Sequence, residues 1–160
     1  MNLRIDVDIS TQWLSLWRAD EPLRRWRVAT ARNGPGERHG SECTPRGRHL
    51  IRAKIGAGQP INTVFVGRRP TGEIYTPELG RRFPGRDWIL TRILWLSGLE
   101  PGFNRLGTCD TMRRYIYIHG CPDSHPMGIP SSHGCIKMRN HDIVELFDLV
   151  PPYTPVHIKA

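Results

Sequence analysis

A histidine and a cysteine in the C-terminal half of the chain have the spacing and surroundings of a catalytic pair. His119 follows a run of β-branched and aromatic residues, and Cys135 lies sixteen positions later in the sequence Ser132-His133-Gly134-Cys135. A thiol beside an imidazole base can attack a carbonyl carbon and form an acyl-enzyme. Gly134 gives the adjacent backbone the freedom to point N–H groups at the developing oxyanion. The pattern therefore predicts Cys135 as a nucleophile and His119 as its base.

The state of this pair before reaction can also be predicted. We expect the ring of His119 to lower the pKa of the thiol below its ordinary value of about 8.5, so that thiolate is populated at neutral pH. The oxyanion would be held by the backbone N–H groups of residues 133–135. His133 itself could take part in the chemistry or only position the loop. An isolated cysteine is more often a small buried hydrophobe, but the neighbouring histidines and glycine favour catalysis.

Two other classes of site use the same residue types or the same charge. The pairs His119-x-Cys121 and His133-x-Cys135 contain zinc-ligand types, but their spacing differs from that of structural zinc sites, so we expect no metal and no cofactor. The chain has 23 lysines and arginines against 15 acidic residues, a net charge of +8. This favours an anionic partner. Because the arginines are scattered along the chain, a substrate rich in carboxylates is expected rather than nucleic acid.

The remaining cysteines and one loop histidine are assigned no chemistry. We expect Cys43 and Cys109 to be packing or incidental residues. Cys121 and His125 are expected to be loop residues, because a thiol acyl-transfer mechanism does not need them. The cysteines are expected to be unpaired, since the chain shows no sign of export.

The elements that must position the catalytic pair are predicted to be mostly strands. Their ranges are 3–9, 12–18, 24–30, 49–55, 62–67, 88–96, 113–118 and 155–159. Residues 68–86, rich in proline, glycine and arginine, are predicted to be a loop. The single predicted helix begins at Asn140, a potential N-cap, and ends before Pro151. A strand would therefore end at His119, and a short helix would follow Cys135.

Length and terminal pattern indicate a single domain and its location. The 160 residues suffice for one core and contain no repeat or linker, so one catalytic domain over 1–160 is expected. The first nine residues alternate apolar and charged side chains and contain no signal-peptide segment. No apolar run approaches the ~18 residues of a membrane span. We expect a cytoplasmic protein that does not bind membrane, or a periplasmic one if the N-terminus is truncated. The oligomeric state is left open.

The same residues resemble the L,D-transpeptidase catalytic domain family of the YkuD type. The family signature joins an Ile-His-Gly strand end to a Ser/Thr-His/Lys-Gly-Cys segment with an Asn shortly after it. Here it reads Ile118-His119-Gly120 and Ser132 to Asn140. Residues 44–51, Thr-Pro-Arg-Gly-Arg-His-Leu-Ile, are similar to a second family motif upstream. The resemblance covers roughly residues 28–158. It implies a mainly β fold, a sandwich or barrel of mixed strands with one short helix after Cys135.

The resemblance also implies a reaction and its contacts. The substrate would be the peptidoglycan stem peptide, cleaved at the L,D bond between diaminopimelate and D-Ala, with no cofactor. Without a visible leader, hydrolysis of soluble muropeptides by an L,D-carboxypeptidase in wall recycling is favoured over cross-linking by an L,D-transpeptidase. The catalytic set would be Cys135, His119, His133 and Gly134, and the substrate contacts Ser132, Lys137, Arg139 and Gly120. Lys137 stands where many members have arginine, and it lacks the planar fork that binds carboxylates bidentately.

Overall fold

A computed structural model describes residues 2–160, which form mainly strands. The strands are β1 (Leu3–Asp8), β2 (Trp13–Arg18), β3 (Glu21–Arg27), β4 (Gly47–Ile55), β5 (Thr63–Val66), β6 (Arg69–Ile74), β7 (Ile89–Gly98), β8 (Tyr117–Gly120), β9 (Ile136–Met138) and β10 (Pro155–Lys159); the helices are α1 (Pro77–Arg82) and α2 (Asn140–Leu149). The predicted mainly β class is confirmed. Across residues 2–160, neither helix has the length and apolar composition needed to cross a bilayer.

The strands form one mixed sheet that branches at β7. Along its main path the order is β3-β2-β1-β10-β4-β7-β5-β6, and β7 also pairs with β8, which pairs with β9. The pairs β1–β10 and β8–β9 are parallel, and the others are antiparallel. Alternate residues of β1, β2, β8 and β9 share one buried core with the apolar face of α2. Burial of this core anchors β8 and β9, the two strands that flank residues 121–135, the predicted catalytic loop.

Residues 68–86 differ from the predicted loop, because they contain β6 and α1. The side chains of β6 are largely exposed, so its sequence has no apolar alternation, and pairing with β5 across a tight turn supplies its structure. Helix α1 begins after Thr76, whose hydroxyl accepts a hydrogen bond from the Leu79 N–H at 3.1 Å. Thr76 followed by proline is a helix-start signal. The predicted short helix after Cys135 is present as α2, and α1 is a further helix that the loop prediction missed.

Two predicted strand boundaries are also wrong, and both lie beside the catalytic loop. β3 ends at Arg27, and residues 28–31 then pair with β9 and with the loop before it: Ala29 and Lys137 exchange two backbone hydrogen bonds of 2.9 Å. β8 begins at Tyr117 rather than Arg113, because the chain turns at Tyr115, which has a φ of 56°. The strand consequently contains His119 instead of ending before it. Tertiary pairing with a distant segment, which local periodicity does not report, sets the end of β3, whereas a turn sets the start of β8.

The buried imidazole of His49 makes the stability of the fold depend on pH. Its Nε2 lies 2.9 Å from Thr111 Oγ1 and its Nδ1 lies 3.1 Å from the Gly47 carbonyl oxygen. Burial lowers the pKa of His49 to about 4. Between about pH 6.5 and 4 the unfolded chain therefore binds a proton that the folded chain does not, and stability falls as the pH falls. We expect this residue to reduce the free energy of unfolding by about 2 kcal/mol between pH 7 and 4.5.

Urea unfolding at the two pH values measures this loss, with a His49→Gln variant as the control. The variant lacks the titrating ring, so its loss of stability between pH 7 and 4.5 should be smaller than that of the wild type. An equal loss in both proteins would contradict the assignment to His49.

Candidate active site

The two predicted catalytic side chains lie on the same side of a pair of parallel strands. In β8 and β9, Ile118 lies opposite Ile136 and His119 opposite Lys137. Side chains alternate between the two faces of a strand, so His119, Cys135 and Lys137 share one face. Ile118 and Ile136 point the other way, into the core. The face that holds His119 and Cys135 opens into a cavity of about 490 Å³.

The backbone holds the imidazole of His119 in one tautomer. His119 is buried, and its Nδ1 lies 2.6 Å from the Gly120 carbonyl oxygen. A carbonyl oxygen only accepts, so Nδ1 carries the proton and Nε2 keeps its lone pair. Burial lowers the pKa of His119. The ring is therefore neutral at physiological pH, and Nε2 can act as a general base.

The thiol of Cys135 is protonated in the resting protein. Its sulfur accepts a hydrogen bond from the Tyr117 N–H at 3.3 Å and lies 3.4 Å from the Tyr115 carbonyl oxygen. Burial raises the pKa of Cys135 to about 12, because it outweighs the stabilisation of thiolate by the Tyr117 N–H. The prediction of a resting thiolate was wrong. A neutral His119 supplies no positive charge to favour the anion, so the thiol must lose its proton as it attacks.

Two hydroxyl side chains fix the turn that precedes Cys135. The Ser132 hydroxyl donates to the Cys135 carbonyl oxygen at 2.5 Å and accepts from the Gly134 N–H at 3.2 Å. The Thr44 hydroxyl donates to the Gly134 carbonyl oxygen at 2.9 Å and accepts from the Ala31 N–H at 2.9 Å. The two sequence motifs are thus physically joined, because Thr44 begins the upstream motif. In this structure Ser132 stabilises the turn.

The backbone conformation at position 134 requires glycine, and the Gly134 N–H already donates to the Ser132 hydroxyl. Its φ is +133°, and an added Cβ would lie 3.3 Å from the Cys43 carbonyl oxygen. The prediction that residues 133–135 supply three oxyanion donors is corrected here, since the Gly134 N–H donates to Ser132. Within residues 2–160 the N–H groups of His133 and Cys135 have no protein acceptor. These two groups remain available to an oxyanion.

The other predicted contacts fall into two groups. Lys137 lines the cavity, with its Nζ 3.2 Å from His125 Nδ1, and exposed His133 lines it too. Gly120 has a packing role, because an added Cβ would lie 2.7 Å from the Leu90 carbonyl oxygen. Arg139 is exposed at the start of α2 and lines neither this cavity nor the larger cavity that adjoins it.

A second cavity, of about 750 Å³, adjoins the first. The two share Asp87, Ser132, His133 and Lys137, and the second is otherwise lined mainly by residues 75–88. The imidazole of His133 stands between them, with Nδ1 3.9 Å from Asp87 Oδ1. His125, expected to be a loop residue without a role, lines the second cavity.

Sequence reasoning missed several residues of the first cavity. They are Arg68, Asp87, Arg114 and Tyr117. The guanidinium of Arg114 donates to the carbonyl oxygens of Cys43, at 2.6 Å, and of Gly36, at 3.3 Å, so it braces the upstream loop. These residues come from separate segments, and no local pattern relates them to Cys135.

Asn140 connects α2 to the strand that holds His119. The N-cap of α2 is Arg139, which makes no side-chain cap, so the predicted capping role of Asn140 was wrong. The buried Asn140 amide instead donates to the Cys121 carbonyl oxygen at 2.9 Å and accepts from the Thr91 hydroxyl at 2.5 Å. Cys121, in the loop after β8 as predicted, is buried as well, and burial raises its pKa to about 11.

The site's histidines, cysteines and acids do not converge as metal ligands do. Among residues 2–160, no group of three or more such side chains is placed to hold a metal ion. The chemistry available is that of a thiol, a neutral imidazole base and two free N–H groups in one cavity.

Comparison with known proteins places this site in a family. The model of the YkuD family, the L,D-transpeptidase catalytic domain, matches residues 2–158. The chain belongs to the L,D-transpeptidase family. The earlier resemblance is thereby confirmed, and with it the assignment as a cysteine enzyme of this family.

Individual relatives agree with this membership. The chain is 32% identical over 122 residues to the probable L,D-transpeptidase YbiS of Escherichia coli K12, covering 70% of this chain and 39% of that protein. It therefore spans well under half the length of this curated relative. Its fold is similar to L,D-transpeptidase 3 from Mycobacterium tuberculosis, with a TM-score of 0.61, 13% identity, and 99% of this chain and 61% of that one covered. It is also similar to LD transpeptidase LdtMt1 in complex with imipenem, with a TM-score of 0.61, 20% identity and coverage of 99% and 59%.

Proposed function

We propose that residues 2–158 act as one catalytic domain that forms an acyl-enzyme from the peptidoglycan stem peptide. The bond cleaved is the L,D bond between diaminopimelate and D-Ala. The observation that carries this proposal is the pairing of a neutral His119 with the thiol of Cys135 in one cavity. The basic side chains of Arg68 and Lys137 in that cavity suit a substrate rich in carboxylates.

In the first step His119 Nε2 takes the thiol proton while the sulfur attacks the carbonyl carbon of the L-centre. The N–H groups of His133 and Cys135 stabilise the oxyanion. The imidazolium of His119 then gives its proton to the nitrogen of D-Ala, the C–N bond breaks, and a thioester remains on Cys135. In the second step Nε2 removes a proton from the incoming nucleophile, which attacks the thioester carbonyl carbon. The C–S bond breaks, and the proton passes from Nε2 to the sulfur, which restores the Cys135 thiol.

We further propose that an amine is the preferred nucleophile. The second cavity meets the first at His133 and Lys137, and its volume of about 750 Å³ is that of a site for a peptide-sized ligand. Asp87, which lines both cavities, would attract the ammonium group of an acceptor. The product would be a peptide in which the acceptor amine replaces D-Ala, as in a transpeptidase reaction. Hydrolysis, the carboxypeptidase reaction favoured by sequence reasoning, would then be the slower resolution when the acceptor site is empty.

Mass spectrometry of products tests this proposal. The protein is incubated with murein tetrapeptide, with and without glycine or a D-amino acid as acceptor. A product carrying the acceptor in place of D-Ala is expected, and it would fit an enzyme that works on the wall outside the cytoplasmic membrane. Tripeptide as the sole product would instead identify an L,D-carboxypeptidase suited to recycling. We also expect imipenem to acylate Cys135. The absence of both a peptide product and an imipenem adduct would overturn the proposal.

A further inference from the structure

The turn between β5 and β6 places an arginine in an unusual backbone conformation beside the catalytic cavity. The turn consists of Gly67 and Arg68, with φ values of 57° and 63°. Two positive φ values are typical of a tight two-residue hairpin turn, which favours Gly, Asn or Asp at both positions. Arginine is disfavoured there, because its Cβ crowds the backbone. Arg68 also lines the cavity that contains Cys135.

The guanidinium of Arg68 is fixed by three aromatic side chains. Its Nη1 donates to the Tyr117 hydroxyl at 3.0 Å. Its central carbon lies 4.6 Å from the ring centroid of Trp95 and 4.9 Å from that of Tyr115. Stacking on aromatic rings orients the planar guanidinium and partly desolvates it. The group is therefore preorganised in the cavity wall.

The other basic groups of the cavity have partners, whereas most donors of Arg68 do not. Arg114 donates to backbone carbonyl oxygens, and Lys137 lies beside His125. Arg68 uses one of its five N–H donors, and no carboxylate of residues 2–160 forms an ion pair with it. An oriented arginine fork with free donors is suited to bind a carboxylate.

We propose that Arg68 binds a carboxylate of the acyl donor and so sets the enzyme's preference for an acidic peptide end; this inference rests on the proposed function. Two carboxylates lie near the scissile bond: the C-terminal carboxylate of the leaving D-Ala and the side-chain carboxylate of diaminopimelate. They present the same chemistry to Arg68. The Tyr117 hydroxyl, which accepts from Arg68, can donate its own proton to the same carboxylate.

Three synthetic donors distinguish the sources: the tetrapeptide with both carboxylates free, its D-Ala amide, and its diaminopimelate side-chain amide. Each is assayed by kcat/KM with the wild type, Arg68→Asn and Arg68→Lys. Asparagine tolerates a positive φ, so Arg68→Asn should fold. Arg69→Ala is the matched control, because it removes the same charge from an adjacent exposed residue that does not line the cavity. Thermal melting of every variant verifies that it is folded.

The wild type should prefer the free acid over one of the two amides by about 10- to 100-fold, the range expected for a charged hydrogen bond. The amide that is turned over more slowly lacks the carboxylate that Arg68 binds, and so identifies it. Arg68→Asn should lower kcat/KM for the free acid by a similar factor and leave kcat/KM for that amide unchanged. The kcat/KM of Arg68→Lys for the free acid should lie between those of the wild type and Arg68→Asn. Arg69→Ala should behave as the wild type.

Two results would overturn the role of Arg68 while leaving the proposed function intact. One is a wild type that turns over all three donors equally. The other is an Arg68→Asn variant that is slowed equally on every donor, as a purely structural residue would be. A wild type inactive on all donors would instead overturn the proposed function.

Discussion

Replacing Cys135 with alanine is expected to abolish acyl-enzyme formation. In the proposed mechanism the sulfur is the atom that bonds to substrate, and removal of a nucleophile lowers turnover on the order of 10⁴-fold or more. The measurement is single-turnover release of D-Ala, with intact-protein mass spectrometry to detect the thioester. Because the Cys135 thiol makes only two long backbone hydrogen bonds, from the Tyr117 N–H and to the Tyr115 carbonyl oxygen, the variant should remain folded.

Cys109→Ala is the control for this experiment. Cys109 is also half-buried, and its thiol donates to the Leu106 carbonyl oxygen at 3.3 Å, outside the catalytic cavity. We expect its turnover and its adduct mass to equal those of the wild type. A thioester detected on the Cys135→Ala protein would mean that another residue is the nucleophile.

The second large effect is expected at His119, in the pH dependence of acylation. In the wild type burial favours a protonated Cys135 and a neutral His119, and we propose that this imidazole is the base. Acylation should therefore be independent of pH from about 7 to 9, and should fall only in acid, below the lowered pKa of His119. The sign follows from the base: protonation of Nε2 removes its lone pair, and burial moves that protonation below the ordinary value near 6.5.

His119→Ala should lower kcat/KM by about 10²- to 10⁴-fold at pH 7. Without a base, reaction requires preformed thiolate, and burial raises the pKa of Cys135 to about 12. The residual rate of the variant should thus increase about tenfold per pH unit between pH 7 and 9. Stopped-flow or quenched acylation across this range measures both profiles. His141→Ala, a change at an exposed position on α2, serves as the control.

A wild-type rate that climbs with a midpoint near pH 8.5 would contradict this account. Such a profile belongs to a solvated thiol whose own ionisation limits the reaction. A variant at His119 with a flat profile would show that the imidazole is not the proton acceptor.

Local sequence was sufficient for most of the fold. The alternation in residues 3–9 and 12–18 corresponds to β1 and β2, and the apolar stripe after residue 140 corresponds to α2. It was insufficient where neighbours in space supply the structure. β6 has no buried face of its own, and the end of β3 depends on pairing with distant residues.

The sequence by itself determined which groups we propose to react, because the chemical type and spacing of Cys135, His119 and Gly134 match a thiol acyl-transfer site. Only the tertiary structure decided their protonation, since burial sets the pKa values of thiol and imidazole. It also decided the surroundings of the thiol, which include Arg68 from a remote hairpin. A residue type is local information, whereas desolvation and the convergence of separate segments exist only once the chain has folded.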